Sequence, residues 1–235
     1  MFLGQTVGLV LPTYNEKDSI RAVIEQFHEL GVVDDILVIN NNAAEGTSEE
    51  VAGTAAREIH EPVQGYGAAI LRGLREMNTD LIAVCEPDAT FAPVDLFKLL
   101  EFSRDFDVVY GSRTMNDLIW DGANMGWFLR FGNWAVAKLM EMLYDTASLS
   151  DVGCTYRIMD REAKECVLER CTVQGNFFGP EMMIATIKGK LRIVQIPLNY
   201  KERTGESSVT GDRLKAVKLG VRMIALIFEK RFTGP

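Results

Sequence analysis

Three features of the sequence predict an α/β fold, a mostly parallel central sheet covered by helices on both faces. Short, largely apolar runs recur at 7–11, 35–39, 81–85 and 106–110. Segments with helical spacing of apolar residues separate them, and each run stops at a polar cluster, at 12–16, 40–42, 86–88 and 111–113. Strands that read as nearly continuous apolar stretches are those buried on both faces, and their alternation with helices requires crossover connections.

The elements follow in order. The first run ends in Pro12-Thr13-Tyr14-Asn15, after which Ile20, Val23, Ile24, Phe27 and Leu30 mark one face of a helix. The run at 35–39 leads into Asn40-Asn41-Asn42, and Thr47 and Glu50 have the spacing of a capping box. Gly65-Tyr66-Gly67 opens a helical pattern reaching about Met77. The run at 81–85 ends in Glu86-Pro87-Asp88, Pro93 to Phe102 reads as one helix with proline at its start, and 106–110 runs into Gly111-Ser112-Arg113. The stretch 118–144, with Trp120, Trp127 and Trp134, reads as a core helix or as an amphipathic surface at lipid headgroup level. Residues 212–232 form a basic amphipathic pattern, suited to an anionic membrane surface, to docking on its own domain or to a dimer contact.

At 235 residues, 47% apolar and 25% charged, the chain can bury one sizeable core, and no linker divides it. Its net charge of −8 argues against a nucleic-acid partner. Residues 201–235 are net +4, which leaves the first 200 at −12. Cys85, Cys154, Cys166 and Cys171 include no CxxC pair, and His28 and His60 lie far from them, so a disulfide framework or zinc site is not expected and a reducing, cytoplasmic setting is. Neither a secretory leader nor a run of 18 apolar residues is present.

In open α/β sheets ligands bind beyond the carboxyl ends of the strands, which brings 13–16, 40–47, 86–90 and 111–113 to one cleft. Glu86 and Asp88, two residues apart at a strand end, can both face one hard cation bridging a diphosphate; the plainer reading is a solvated acidic loop. Arg113 could fork onto phosphate oxygens or be an ordinary surface arginine. The glycines at 65, 67 and 73 lack dinucleotide-fingerprint spacing and could simply ease a helix against the sheet.

Taken in order, Pro12-Thr13-Tyr14-Asn15-Glu16, the segment from Gly65 to Gly73, Gly111-Ser112-Arg113, Asp151 to Arg157, Phe178-Gly179-Pro180-Glu181 and Ile196 to Ser208 resemble family 2 glycosyltransferases. The likeness is to the dolichol-phosphate mannose synthase-like branch and runs from about Val7 to Ile227. The chain departs from the family pattern at Asn40-Asn41-Asn42, where paired aspartates are usual, and at Glu86-Pro87-Asp88-Ala89-Thr90, where Asp-any-Asp-any-Gln is usual.

The resemblance implies a GT-A, Rossmann-like fold in a single catalytic domain over 1–235: a nucleotide-sugar half to about 115, an acceptor half over about 116–211, and the C-terminal helix from 212. It implies inverting transfer of a hexose from a donor of the GDP-mannose or UDP-glucose type to a polyprenyl or dolichyl phosphate, with Mg²⁺ or Mn²⁺ held by Asp88, Glu86 and Thr90. Pro12, Thr13, Tyr14, Glu16, Asn40, Asn41, Gly67, Glu86 and Arg203 would bind the donor, and Arg113, Arg130 and Asn133 the acceptor phosphate. Asp88, Asp151 and Arg113 would be catalytic. With a soluble hydroxyl acceptor, the alternative, Asp151 would be the general base and Glu181 the reserve; a non-catalytic nucleotide-sugar-binding module is the further alternative. Tyr200, Arg203, Ser207 and Ser208 would close over the donor, with Gly205 to Ser207 as a lid. The tryptophans and basic helix would meet the inner membrane face peripherally.

Overall fold

The computed structural model describes residues 1–204 and 213–233. Seven strands build one sheet: β1 (Val7–Thr13), β2 (Asp35–Asn40), β3 (Arg57–His60), β4 (Leu81–Val84), β5 (Val108–Ser112), β6 (Arg157–Asp160) and β7 (Ile193–Pro197). Their order is β3-β2-β1-β4-β6-β5-β7. Only β6 is antiparallel, inserted between β4 and β5; the other pairs are parallel. The mostly parallel sheet expected from the sequence is thus present.

Strand alternation makes two cores. Val7, Leu9 and Leu11 of β1 face one layer with Ile36 and Val38 of β2, Leu81 and Ala83 of β4, and Val109 of β5. Val10, Leu37, Ile39, Ile82, Val84, Val108 and Tyr110 face the other. Successive side chains point to opposite faces, so a strand apolar at every position must be covered twice. Helix α1 (Lys17–Glu29) turns Ile20, Val23, Ile24 and Phe27 to the first layer, joined by α4 (Leu96–Phe102). On the opposite face lie α3 (Tyr66–Glu76), α5 (Trp127–Tyr144), α6 (Arg161–Arg170), α7 (Phe178–Lys188) and α8 (Arg213–Phe232).

Gly73 marks where α3 comes closest to the sheet, since a Cβ there would overlap Val10 Cγ1 and approach Ile39 Cγ1 to 3.3 Å. Helix propensity favours Gly73→Ala by about 1 kcal/mol, but overpacking against a stiff, β-branched valine costs roughly 1–3 kcal/mol. The expected result is a net loss of stability in urea unfolding; a midpoint above wild type would show that the sheet yields.

Several local expectations change. The capping box does not form: short α2 (Thr47–Val51) is preceded by Gly46 at φ 89°, and the Thr47 hydroxyl donates to the Ala44 carbonyl at 2.7 Å. Pro93–Asp95 is a separate 3₁₀ turn leading into α4. The last of the four apolar runs becomes strand only from Val108: the Phe106 N–H still donates to the Phe102 carbonyl at the end of α4, at 3.2 Å, and the Asp107 carboxylate accepts from the Arg192 backbone and guanidinium. The tryptophans are not core: Trp120, Trp127 and Trp134 are 53%, 74% and 45% exposed, while Val136, Ala137 and Met140 carry the inward face of α5. Helix α8 lies on the chain through Met223, Leu226 and Ile227, and Tyr144 donates to the Ile227 carbonyl at 2.9 Å. Among the described residues no helix is long and apolar enough to cross a membrane.

Candidate active site

A cleft of about 720 Å³ opens beyond the carboxyl ends of β1, β4 and β5. Parallel strands in register deliver the loops at 12–16, 86–90 and 113 to the same edge, and the segment around Tyr200 and Arg203 closes one side. Helices α5 and α8 supply an apolar flank through Phe128, Leu129, Val136, Met223 and Ile224.

Glu16 organises the first loop. Its Oε2 accepts from the Tyr14 and Asn15 backbone N–H groups at 2.8 and 2.9 Å and from the Thr13 hydroxyl at 3.2 Å. Its other oxygen receives Arg203 Nη2 at 2.6 Å. The Arg203 guanidinium simultaneously reaches Asp88 Oδ2 through Nη1 at 3.0 Å. Asp88 is held by its own turn: Oδ1 accepts from the Thr90 N–H at 3.0 Å and the Thr90 hydroxyl at 2.6 Å. Ala89, at φ 63°, takes the left-handed conformation that this two-residue reach uses. Thr90, expected as a metal ligand, therefore orients Asp88.

These acids are poorly solvated. Burial, then the charge of Asp88, pushes the Glu86 carboxyl up to about 8, against the pull of Arg203. Burial raises Asp88 as well, opposed by its hydrogen bonds from Thr90 and by Arg203. Arg203 thus bridges two carboxylates and, with Arg113, pulls on the third acid.

Arg113 lies across the cleft. Nε and Nη2 fork onto Asp151 at 2.8 and 3.0 Å, its backbone N–H adds a bond at 3.0 Å, and its guanidinium sits 5.4 Å from the Tyr200 ring centroid. Asp151 also accepts from the Gly153 N–H at 2.9 Å. Burial would raise the Asp151 carboxyl, but Arg113 and these hydrogen bonds hold it below the usual carboxylate range. A carboxylate so saturated is a weak base, and its task here is to lock Arg113. Gln195 fixes the same corner, accepting from the Ser150 and Asp151 N–H groups and donating to the Gly111 and Asp151 carbonyls.

Of the expected site residues, Pro12, Thr13, Tyr14, Glu16, Asn41, Glu86, Asp88, Thr90, Arg113, Asn133 and Arg203 line the cleft. Others are placed elsewhere. Asn40 turns away, its amide donating to Glu58 and Ser48. Asn41, by contrast, lines the cleft and braces its wall, donating to the Glu61 and Val63 carbonyls and accepting from the Gly65 N–H. Gly67 is a packing residue, since a Cβ there would overlap the Val173 carbonyl and come within 2.9 Å of Phe178 Cβ. Arg130 sits on α5 outside the cleft lining. Glu181 is buried beneath α8, accepting from the Thr172 and Val173 N–H groups and pairing with Lys230 at 2.7 Å, which removes it as a base. Gly205, Glu206, Ser207 and Ser208 lie outside the described residues. Sequence reasoning missed Gln195 and the apolar flank; a lone glutamine in a strand carries no recognisable spacing.

The profile of glycosyl transferase family 2 matches residues 9–168. A hexosyltransferase of low-salt glycan biosynthesis from Haloferax volcanii is 28% identical over 213 residues, covering 88% of this chain and 50% of that protein, so the chain spans half that relative's length. An undecaprenyl-phosphate mannosyltransferase from Micrococcus luteus is 26% identical over 215 residues, covering 86% of each. Among solved structures, glucosyl-3-phosphoglycerate synthase from Mycobacterium tuberculosis with Mn²⁺, UDP-glucose and phosphoglyceric acid superposes with a TM-score of 0.77 at 17% identity, covering 99% of this chain and 82% of that one.

That superposition corrects the expectation of a dolichol-phosphate mannose synthase-like chain acting on a polyprenyl phosphate. The framework matching 99% of this chain is seen there with a small water-soluble acid, so the fold does not specify a lipid acceptor. The profile match takes in the Glu16 loop, the acidic loop of Asp88 and the Arg113–Asp151 corner, well over half of the chain, and the protein belongs to glycosyl transferase family 2 as a glycosyltransferase.

Proposed function

We propose that the enzyme transfers a hexose from a nucleotide sugar to a hydroxyl of a small soluble acceptor, with a divalent cation at the acidic loop. The observation that carries this reading is the grouping of Glu16, Glu86 and Asp88 at the carboxyl ends of β1 and β4, with the Arg203 guanidinium bridging Glu16 and Asp88. The donor set fits Mn²⁺ or Mg²⁺. Among the described residues no three His, Cys, Asp or Glu side chains form a self-sufficient metal cage; such cations are commonly held by one or two carboxylates plus substrate phosphates. The Mycobacterium tuberculosis enzyme was solved with Mn²⁺, UDP-glucose and phosphoglyceric acid, which supports the same ligand classes here.

Asp88, presented by Thr90, and Glu86 would hold the cation, which when bound would neutralise the donor diphosphate and charge on the leaving nucleoside diphosphate. Thr13 and Glu16 keep the first loop in place for the nucleotide. Arg113, fixed by Asp151, offers a cation that does not move with the substrate. Four free cysteines, three of them buried, suit a reducing compartment such as the cytoplasm.

The test is nucleoside diphosphate release from UDP- and GDP-hexoses with Mn²⁺, against 3-phosphoglycerate, glycerol 3-phosphate, glycerate and glycerol, with product mass recorded. Acceptor-dependent release that EDTA abolishes is the expected result. Binding of donor with no release for any acceptor would refute hydroxyl transfer to this acceptor class.

A further inference from the structure

Arg203 occupies the place where a cation would meet Asp88. Each Asp88 oxygen is engaged: Oδ1 by Thr90, Oδ2 by Arg203 at 3.0 Å. The same guanidinium closes the free oxygen of Glu16 at 2.6 Å. A divalent ion and a guanidinium cannot both contact Asp88 Oδ2 without strong like-charge repulsion in a poorly solvated cleft.

We infer that Arg203 closes the cation position of the free chain and leaves it only when a donor diphosphate draws the guanidinium away, so that cation and donor enter together. This rests on the metal-dependent reading above and adds the order of binding. Two further features support it. Arg203 Nε is buried with no hydrogen-bond partner among the described residues, so the fork is incompletely satisfied where it sits and has a donor to spare for an incoming anion. The backbone beside it is tied to the acidic loop, the Lys201 and Thr204 N–H groups donating to the Thr90 and Asp88 carbonyls at 2.7 and 3.1 Å. Release is therefore a side-chain rotation about a fixed segment.

Charge favours joint entry. In the free site the Arg203 guanidinium bridges Glu16 and Asp88, and a divalent cation arriving with the dianionic diphosphate of a nucleotide sugar leaves the summed charge as it was. A cation arriving alone must expel Arg203 with no anion to receive it. Linkage requires the effect to be mutual, so cation and nucleoside diphosphate raise one another's affinity equally.

The experiment is Mn²⁺ binding, read by electron paramagnetic resonance of the free ion, with and without UDP or GDP, for wild type, Arg203→Met and Arg203→Lys. In wild type, the nucleotide that binds is expected to tighten Mn²⁺ at least tenfold. In Arg203→Met, Mn²⁺ without nucleotide is expected to bind at least fivefold tighter than in wild type, and the nucleotide's effect to shrink. Arg203→Lys keeps the charge but not the two-pronged reach, and should also bind Mn²⁺ alone more tightly than wild type. If lysine matches wild type, the two-pronged closure is wrong and only charge acts. If Arg203→Met leaves Mn²⁺ binding alone unchanged or weaker while wild type still binds Mn²⁺ with nucleotide, the inference fails and the metal-dependent reading stands. If wild type binds no Mn²⁺ under either condition, both fall.

Discussion

Asp88→Asn lowers sugar transfer by at least about a thousandfold while leaving the fold as stable as wild type or more so. The loss follows from removing the anionic oxygen that faces the cation position; metal stabilisation of a leaving group is worth several kcal/mol, and about 4 kcal/mol corresponds to a thousandfold in rate. Asparagine keeps an oxygen for the Thr90 N–H and hydroxyl, so the turn survives. The stability sign follows from the raised carboxyl. A folded-state value above the unfolded one means that the native state prefers the protonated acid, so wild-type stability falls as pH rises from the unfolded value through the folded one. The asparagine variant lacks that loss, and the gap between the two proteins in thermal unfolding should open as pH rises above about 4. Lost contact with Arg203 works against this gain, which keeps the expected rise small. Transfer above one tenth of the wild-type rate would remove Asp88 from the chemistry; a large drop in melting temperature would make it a structural residue.

The parts legible in the sequence are those that strand geometry alone dictates. Glu16, Asp88 and Arg113 each follow a strand whose apolar run reveals its burial, and parallel strands bring their carboxyl ends to one edge whatever the connections do. What was hidden depends on tertiary partners. Asp151 looks like a free acid until folding sets it against Arg113, 38 residues away, and Glu181 until Lys230 of the last helix covers it. Asn40 and Asn41 are neighbours with equal hydrogen-bonding capacity, yet strand alternation turns only Asn41 to the cleft. Gly67 binds the donor only by the resemblance; its missing Cβ instead accommodates the backbone at Val173, in line with the plainer reading of a glycine that eases close helix packing. Strand β3 escaped notice because Arg57 to His60 is a half-exposed edge with no apolar run. The acceptor was misjudged because it came only with the resemblance to one branch of the family, and a fold shared across branches does not name the molecule that accepts the sugar.

Asp151→Ala should be the most destabilising single change at the site. The carboxylate is fully buried, its arginine partner is 13% exposed, and together they make three hydrogen bonds, with a fourth from Gly153. Breaking a buried pair from one side leaves the other charge uncompensated and costs roughly 3–5 kcal/mol, or a fall in melting temperature of roughly 10 °C for a chain of this size. The lowered carboxyl fixes the pH window. Its stabilisation is complete above the unfolded value near 3.8 and disappears as pH falls through the lower folded value, so wild type and variant should converge only in strong acid. The double change Asp151→Ala with Arg113→Met removes both charges, and should recover much of the stability because the unpaired guanidinium is gone. It should recover none of the transfer, because Arg113 would no longer stand over Tyr200 at the cleft wall. Equal melting temperatures for Asp151→Ala and wild type would show that Arg113 finds another partner. Restored transfer in the double variant would show that the pair serves the fold alone, and that the fixed positive charge across from Asp88 has no part in holding the substrates.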